Sequence, residues 1–146
     1  MAEAELSGKL EDYLEAVWTL EGREGHAHVQ DIADAVGVHK STVSTALQSL
    51  SAKEMVNYEP YQAATLTEKG RRTAAQIDRK HRLIRRFMSS VLMLDIRTAD
   101  ENACRMEHAL DNEVSQRLAD FLSFMEESES LEWLEGFKEF LTKKQQ

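Results

Sequence analysis

The stretch from Val29 to Leu66 constrains the fold most. Val29, Ile32, Ala33 and Val36 recur at helical spacing and stop at Gly37. Val43, Ala46, Leu47 and Leu50 mark a further helix over about residues 39–53. Between them lies Val36-Gly37-Val38, a short turn with the glycine that closely joined helices use. Met55-Val56-Asn57-Tyr58-Glu59 then alternates as a strand does. Pro60-Tyr61-Gln62 supplies a turn, and the chain returns through Ala63 to Leu66. Two helices about a glycine turn, followed at once by a hairpin, predict a winged helix-turn-helix. Upstream, Leu6, Leu10, Tyr13, Leu14, Val17 and Leu20 predict an amphipathic helix over residues 5–22, ended by Gly22 and Gly25. That makes three helices and a two-stranded wing.

Everything after Leu66 reads as helix. Thr67 suits the cap of a helix over about 68–93, with Ala74, Ile77, Leu83, Ile84, Phe87 and Val91 apolar. Thr98 with Glu101 has capping-box spacing and predicts a helix over about 99–110. Asp111 suits the cap of a helix whose face is Val114, Leu118, Phe121, Leu122 and Met125. Glu126-Glu127-Ser128 is a break, and Leu131, Leu134, Phe137 and Leu141 mark a last helix. The expected fold class is therefore mainly α: a winged helix-turn-helix over 1–73 and an all-helical domain over 74–146. A chain of 146 residues buries roughly two thirds of its unfolded surface, enough for a real core. No apolar run approaches the ~18 residues of a membrane span. No apolar stretch of a secretory signal follows Met1, and a single Cys makes no internal disulfide, so a cytoplasmic setting is expected.

A net charge of -8 argues at first against a nucleic-acid partner, but the charge is segregated. Residues 1–35 carry -7, residues 36–90 carry +6 and residues 91–146 carry -7. A polyanion responds to the face it meets, because screening cuts off charges beyond about 8–10 Å. The outer positions of the 39–53 helix are His39, Lys40, Ser41, Thr42, Ser44, Thr45 and Gln48, and no acid occurs from His39 to Lys53. Carboxylates there would repel phosphate. Ser41, Thr42, Ser44 and Thr45 suit phosphate or methyl contacts, His39 and Lys40 suit phosphate, and Gln48 suits a base edge. Tyr61 and Gln62, at the wing tip, are placed to touch flanking backbone.

A second constellation points to metal. Asp12 and Glu15 are three apart on the first helix, so they share a face. Cys104, Glu107 and His108 share a face at i, i+3 and i+4, and His81 lies midway along the long helix. Together they offer three carboxylates, two imidazoles and a thiol, a set suited to a first-row divalent cation. His26-Ala27-His28 has metal-binding composition as well, although a solvated loop or a cap is the simpler reading. Trp18 and the methionines read as core, and Trp133 and Phe137 as packing on the same or a partner subunit. No nucleophile, base and orienting group assemble, so no enzyme is expected.

Leu10-Glu11-Asp12-Tyr13-Leu14-Glu15-Ala16-Val17-Trp18, Val29-Gln30-Asp31-Ile32-Ala33 with Val43-Ser44, Arg79-Lys80-His81-Arg82-Leu83 and Ala103-Cys104-Arg105-Met106-Glu107-His108 resemble the diphtheria-toxin-repressor family, over about Leu6 to Glu127. The resemblance implies a metal-dependent repressor of iron or manganese uptake. It implies a homodimer through the helical domain, a pseudo-palindromic DNA operator and no membrane partner. Metal between the first helix and the helical domain would favour the DNA-binding form. Asp12, Glu15, His81, Glu107 and His108 match the binuclear site of the manganese-responsive branch, whereas Cys104 matches the iron-responsive branch. That branch's second site needs a Glu and a His where Arg85 and Asp100 stand, and its SH3-like domain is not expected here. Thiolate favours iron, cobalt or zinc, and the carboxylates favour manganese or iron. Fe(II) or Mn(II), one or two per subunit, is the expected co-repressor, with Zn(II), Co(II) or Ni(II) able to bind in vitro. The alternative is a winged-helix regulator that needs no metal and senses a small ligand.

Overall fold

A computed structural model describes residues 6–128 and 131–145. The elements, in order, are α1 (Gly8–Glu24), α2 (Val29–Val36), α3 (Lys40–Ala52), β1 (Val56–Asn57), β2 (Thr65–Leu66), α4 (Glu68–Ser90), α5 (Ile96–Met106), α6 (Asn112–Glu127) and α7 (Glu132–Lys144). They form two compact units that divide between Asp78 and Arg79.

The first unit closes α1, α2 and α3 over Leu14, Val17, Ile32, Val43, Leu47 and Leu50, all fully buried. Ser7 caps α1 by accepting the Leu10 N–H. The helix runs through Gly22 and ends only at Gly25, whose φ of 80° is the left-handed turn that glycine adopts without cost. Gly37, at φ 78°, ends α2 in the same way and sets up the turn into α3. β1 and β2 pair antiparallel, Val56 opposite Leu66 and Asn57 opposite Thr65, and an isolated bridge joins Ala27 to Ala64. The ladder is shorter than the alternation predicts. Tyr58 leaves it to donate its hydroxyl to Ser44 Oγ at 3.4 Å, and the Gln62 N–H closes a turn on the Glu59 carbonyl at 3.1 Å.

Thr67 caps α4, its hydroxyl oxygen accepting the Gly70 N–H at 3.0 Å. Ala74 and Ile77, early in α4, are buried in the first core, which is why the units divide after residue 78 rather than 73. α4 stops at Ser90, short of residue 93, where the Val91 and Leu92 amides fold back on the Phe87 carbonyl and Met93 turns left-handed at φ 56°.

The second unit has two smaller clusters. Ile84, Met88, Ala99 and Ala103 form one; Val91, Leu122 and Met125 form the other. α5 begins earlier than the Thr98 capping box predicts. Asp95 is the cap, accepting the Thr98 N–H at 3.0 Å and its hydroxyl at 2.6 Å. A carboxylate offers two acceptors where Thr98 offers one hydroxyl, so the competition goes to Asp95. α5 also ends at Met106, not near 110: the Ala109 N–H turns back to the Met106 carbonyl. Asp111 caps α6 as expected, through the Val114 N–H at 2.9 Å. α6 continues to Glu127 with Ser128 as its C-cap, so the break falls later than Glu126. α7 buries none of its side chains completely. Trp18 is half-buried against the first core, whereas Trp133 is exposed, with its ring 6.3 Å from that of Phe121. Met55, Met88 and Met125 are core; Met106 is exposed and does not fill a gap.

Candidate metal centre and nucleic-acid interface

The α3 surface follows from its 3.6-residue period. Val43, Ala46, Leu47 and Leu50 point into the core, leaving Lys40, Ser41, Thr42, Thr45 and Gln48 exposed. His39 is exposed at the N-cap position, and its ring makes no capping bond. Ser44 is half-buried and faces Tyr58 of the wing rather than projecting freely. The Thr45 hydroxyl donates back to the Ser41 carbonyl at 3.1 Å. Tyr61 occupies the wing tip at φ 66° with a fully exposed ring. Its neighbour Gln62 is held by the Glu59 carboxylate at 3.2 Å. This face carries donors and no carboxylate along α3, the electrostatics that phosphate requires.

In the second unit the structure brings His81, Glu107 and His108 together. His81 Nδ1 lies 2.7 Å from Glu107 Oε2, and His108 Nε2 lies 3.5 Å from Glu107 Oε1. The Glu107 side chain is fully buried, the one polar or charged residue in this class among those described. A buried carboxylate is costly unless cationic or hydrogen-bonding groups face it. Two imidazoles converging on it make a mixed oxygen and nitrogen donor set, which fits a divalent first-row cation. Cys104 stands one turn before Glu107 and is exposed. In the first unit, Asp12 and Glu15 lie half-buried on one face of α1, on either side of the buried Tyr13 and Leu14.

Sequence spacing alone missed one residue beside this centre, Asp100, and one contact that braces the turn after it, made by Lys80. Asp100, on α5, approaches His81 Nε2 at 2.8 Å and receives Arg85 Nη1 at 3.3 Å. The hydrogen bond with His81 holds the Asp100 carboxyl below the usual carboxylate range, with Arg85 adding to the effect. Lys80 Nζ donates to the Leu110 carbonyl at 2.8 Å and ties α4 to the turn after Glu107. No local periodicity relates residues 19 or 30 apart, so only packing reveals these partners.

Residues 5–64 match the family model for the N-terminal DNA binding domain of iron dependent repressors. Residues 67–130 match the model for the metal binding and dimerisation domain of iron dependent repressors. An uncharacterised HTH-type transcriptional regulator of Methanocaldococcus jannaschii is 39% identical over 119 residues, 80% of this chain and 94% of that protein. The HTH-type transcriptional regulator MntR of Bacillus pumilus is 32% identical over 120 residues, 82% of this chain and 83% of that one. Among solved structures, a manganese-dependent transcriptional repressor in complex with manganese superposes with a TM-score of 0.73 at 29% identity. That match covers 79% of this chain and 53% of the solved one, so this chain spans about half its length.

Proposed function

Since this chain belongs to the diphtheria-toxin-repressor family of metal-responsive DNA-binding transcriptional repressors, we propose that it is a cytoplasmic homodimer that represses metal-transport genes when Fe(II) or Mn(II) is abundant. The observation that carries this reading is the buried Glu107 carboxylate flanked by His81 and His108, in a domain matched to metal binding. Asp12, Glu15, His81, Cys104, Glu107 and His108 are the proposed ligands, for one or two ions per subunit. A bound cation would supply positive charge that offsets repulsion among the carboxylates holding it. Asp12 and Glu15 ride on α1, which packs on α2 and α3, so fixing α1 fixes the recognition helix. Asp100, 2.8 Å from His81 Nε2, would hold the proton on that nitrogen and leave Nδ1, 2.7 Å from Glu107 Oε2, as the nitrogen to face a cation.

On DNA, His39, Lys40, Ser41, Thr42, Ser44 and Thr45 would meet phosphate or methyl groups. Gln48 would reach a base edge, and Tyr61 the flanking backbone. Two copies would set their α3 helices at half-sites about 34 Å apart on a pseudo-palindromic operator. Restricting the orientation of α3 beforehand lowers the entropic cost of that docking. By linkage, a cation that tightens operator binding is itself bound more tightly when operator is present. The test is operator affinity of the full chain with Fe(II) or Mn(II) titrated in and then chelated. Affinity should rise with metal and fall with chelator; equal affinity in both states refutes the reading.

A further inference from the structure

Two imidazoles converge outside the Glu107 centre. His26 and His28 lie in the loop between α1 and α2, with Nε2 atoms 3.0 Å apart, ring centroids 4.6 Å apart and planes at 79°. The backbone that carries them is anchored. Gly25 turns left-handed at φ 80°, and Ala27 exchanges two hydrogen bonds with Ala64, at 2.9 and 2.8 Å. Ala27 is fully buried, so in this extended segment the residues on either side project together toward the outer face. His28 occupies the N-cap position of α2, yet its ring makes no capping bond and turns to His26 instead. The cap that the sequence allows for is therefore not what the ring does.

Imidazole nitrogens bind zinc at about 2.0–2.1 Å, which separates two cis ligand atoms by about 3 Å at a right angle and about 3.4 Å at the tetrahedral angle. The observed 3.0 Å, a hydrogen bond between the two rings, meets that distance requirement. We propose that His26 and His28 chelate one borderline divalent cation, Zn(II), Ni(II) or Cu(II), through their Nε2 atoms, with water completing the coordination. The donors are imidazole alone, with none of the carboxylates that Mn(II) prefers, so the site discriminates against manganese. It lies on the DNA-binding unit beside the wing, where Ala27 bridges Ala64, and an ion there adds positive charge to that unit. His26 and His28 are separate from the residues of the Glu107 centre.

The test is equilibrium dialysis of the full chain with elemental analysis, using Zn(II) and, separately, Mn(II). His26→Ala/His28→Ala should retain one zinc fewer per subunit than the parent protein and the same amount of manganese. Equal zinc in both proteins overturns the proposal; so does an equal loss of zinc and manganese, which would assign the pair a structural role. Imidazole ¹⁵N spectra of the parent protein give a reading independent of any variant's folding. Both Nε2 signals should move on zinc addition, and unmoved signals at saturation refute the site.

Discussion

Replacing Gly70 with alanine should weaken the DNA-binding unit, against the usual trend. In an open helix interior that change stabilises by about 1 kcal/mol, because glycine loses more backbone entropy on folding. Gly70 is buried in the first turn of α4, and a Cβ there would overlap the Met55 carbonyl oxygen and lie 2.7 Å from its carbon. The carbonyl is poorly placed to retreat, since it accepts the Thr67 N–H at 3.0 Å and shares the Thr67 hydroxyl proton, at 3.1 Å, with the Glu54 carbonyl at 2.6 Å. Overpacking costs about 1–3 kcal/mol, and loss of one or two of these hydrogen bonds costs about 1 kcal/mol each. Set against the ~1 kcal/mol helix gain, the net is about 1–4 kcal/mol of destabilisation. For a unit of this size, at about 4–8 °C per kcal/mol, that is about 4–30 °C in Tm. Gly22→Ala is the control: it sits inside α1 with nothing within 4 Å of a new Cβ, and should stabilise by about 0.5–1 kcal/mol. Urea and thermal unfolding followed by circular dichroism, at equal protein concentration, would compare the two. The reasoning is refuted if Gly70→Ala is as stable as the parent protein, or if both changes move stability the same way. Because Met55 leads into β1, operator affinity should fall with Gly70→Ala even below its melting range.

Further outcomes bear on the two proposed surfaces. Asp100→Ala should lower Mn(II) or Co(II) affinity about tenfold or more by freeing the His81 ring, while Asp100→Asn, which keeps the acceptor, should retain most of it; calorimetric titration separates these, and equal losses would point to charge alone. Cys104→Glu should favour Mn(II) over Fe(II), read as a change in the ratio of their activation thresholds for operator binding; an unchanged ratio removes Cys104 from the selectivity argument. Lys40→Ala should lower the salt slope of operator binding by about one, whereas Gln48→Ala should relax preference at one base position; competition binding at several salt concentrations reads both. The Asp95 cap should be acid-sensitive. The Thr98 hydroxyl and amide hold the Asp95 carboxyl below 3.8, so its contribution is complete above that pH and disappears as pH falls through the lower folded value. The melting difference between the parent protein and Asp95→Ala should therefore be constant near neutral pH and shrink in strong acid.

What was legible in the sequence is what helix and turn geometry write into neighbouring residues. The α2–turn–α3 arrangement follows from apolar spacing and from Gly37, whose left-handed φ of 78° is a local property of the chain. The outward set on α3 and the shared face of Asp12 and Glu15 follow from the same 3.6-residue period. Local competition was less legible: Asp95 displaced Thr98 as a cap because a stronger acceptor lay three residues upstream, and α5 moved with it. Packing alone decided that Ala74 and Ile77 belong to the first core, that Gly70 must be glycine, and that Ser44 turns to the wing. Packing also decided that His81 meets Glu107, 26 residues on, with Asp100 on its other nitrogen. Spacing in sequence determines direction only along one element. Which elements meet, and how closely, depends on side-chain volumes summed over the whole core, and that sum has no local signature.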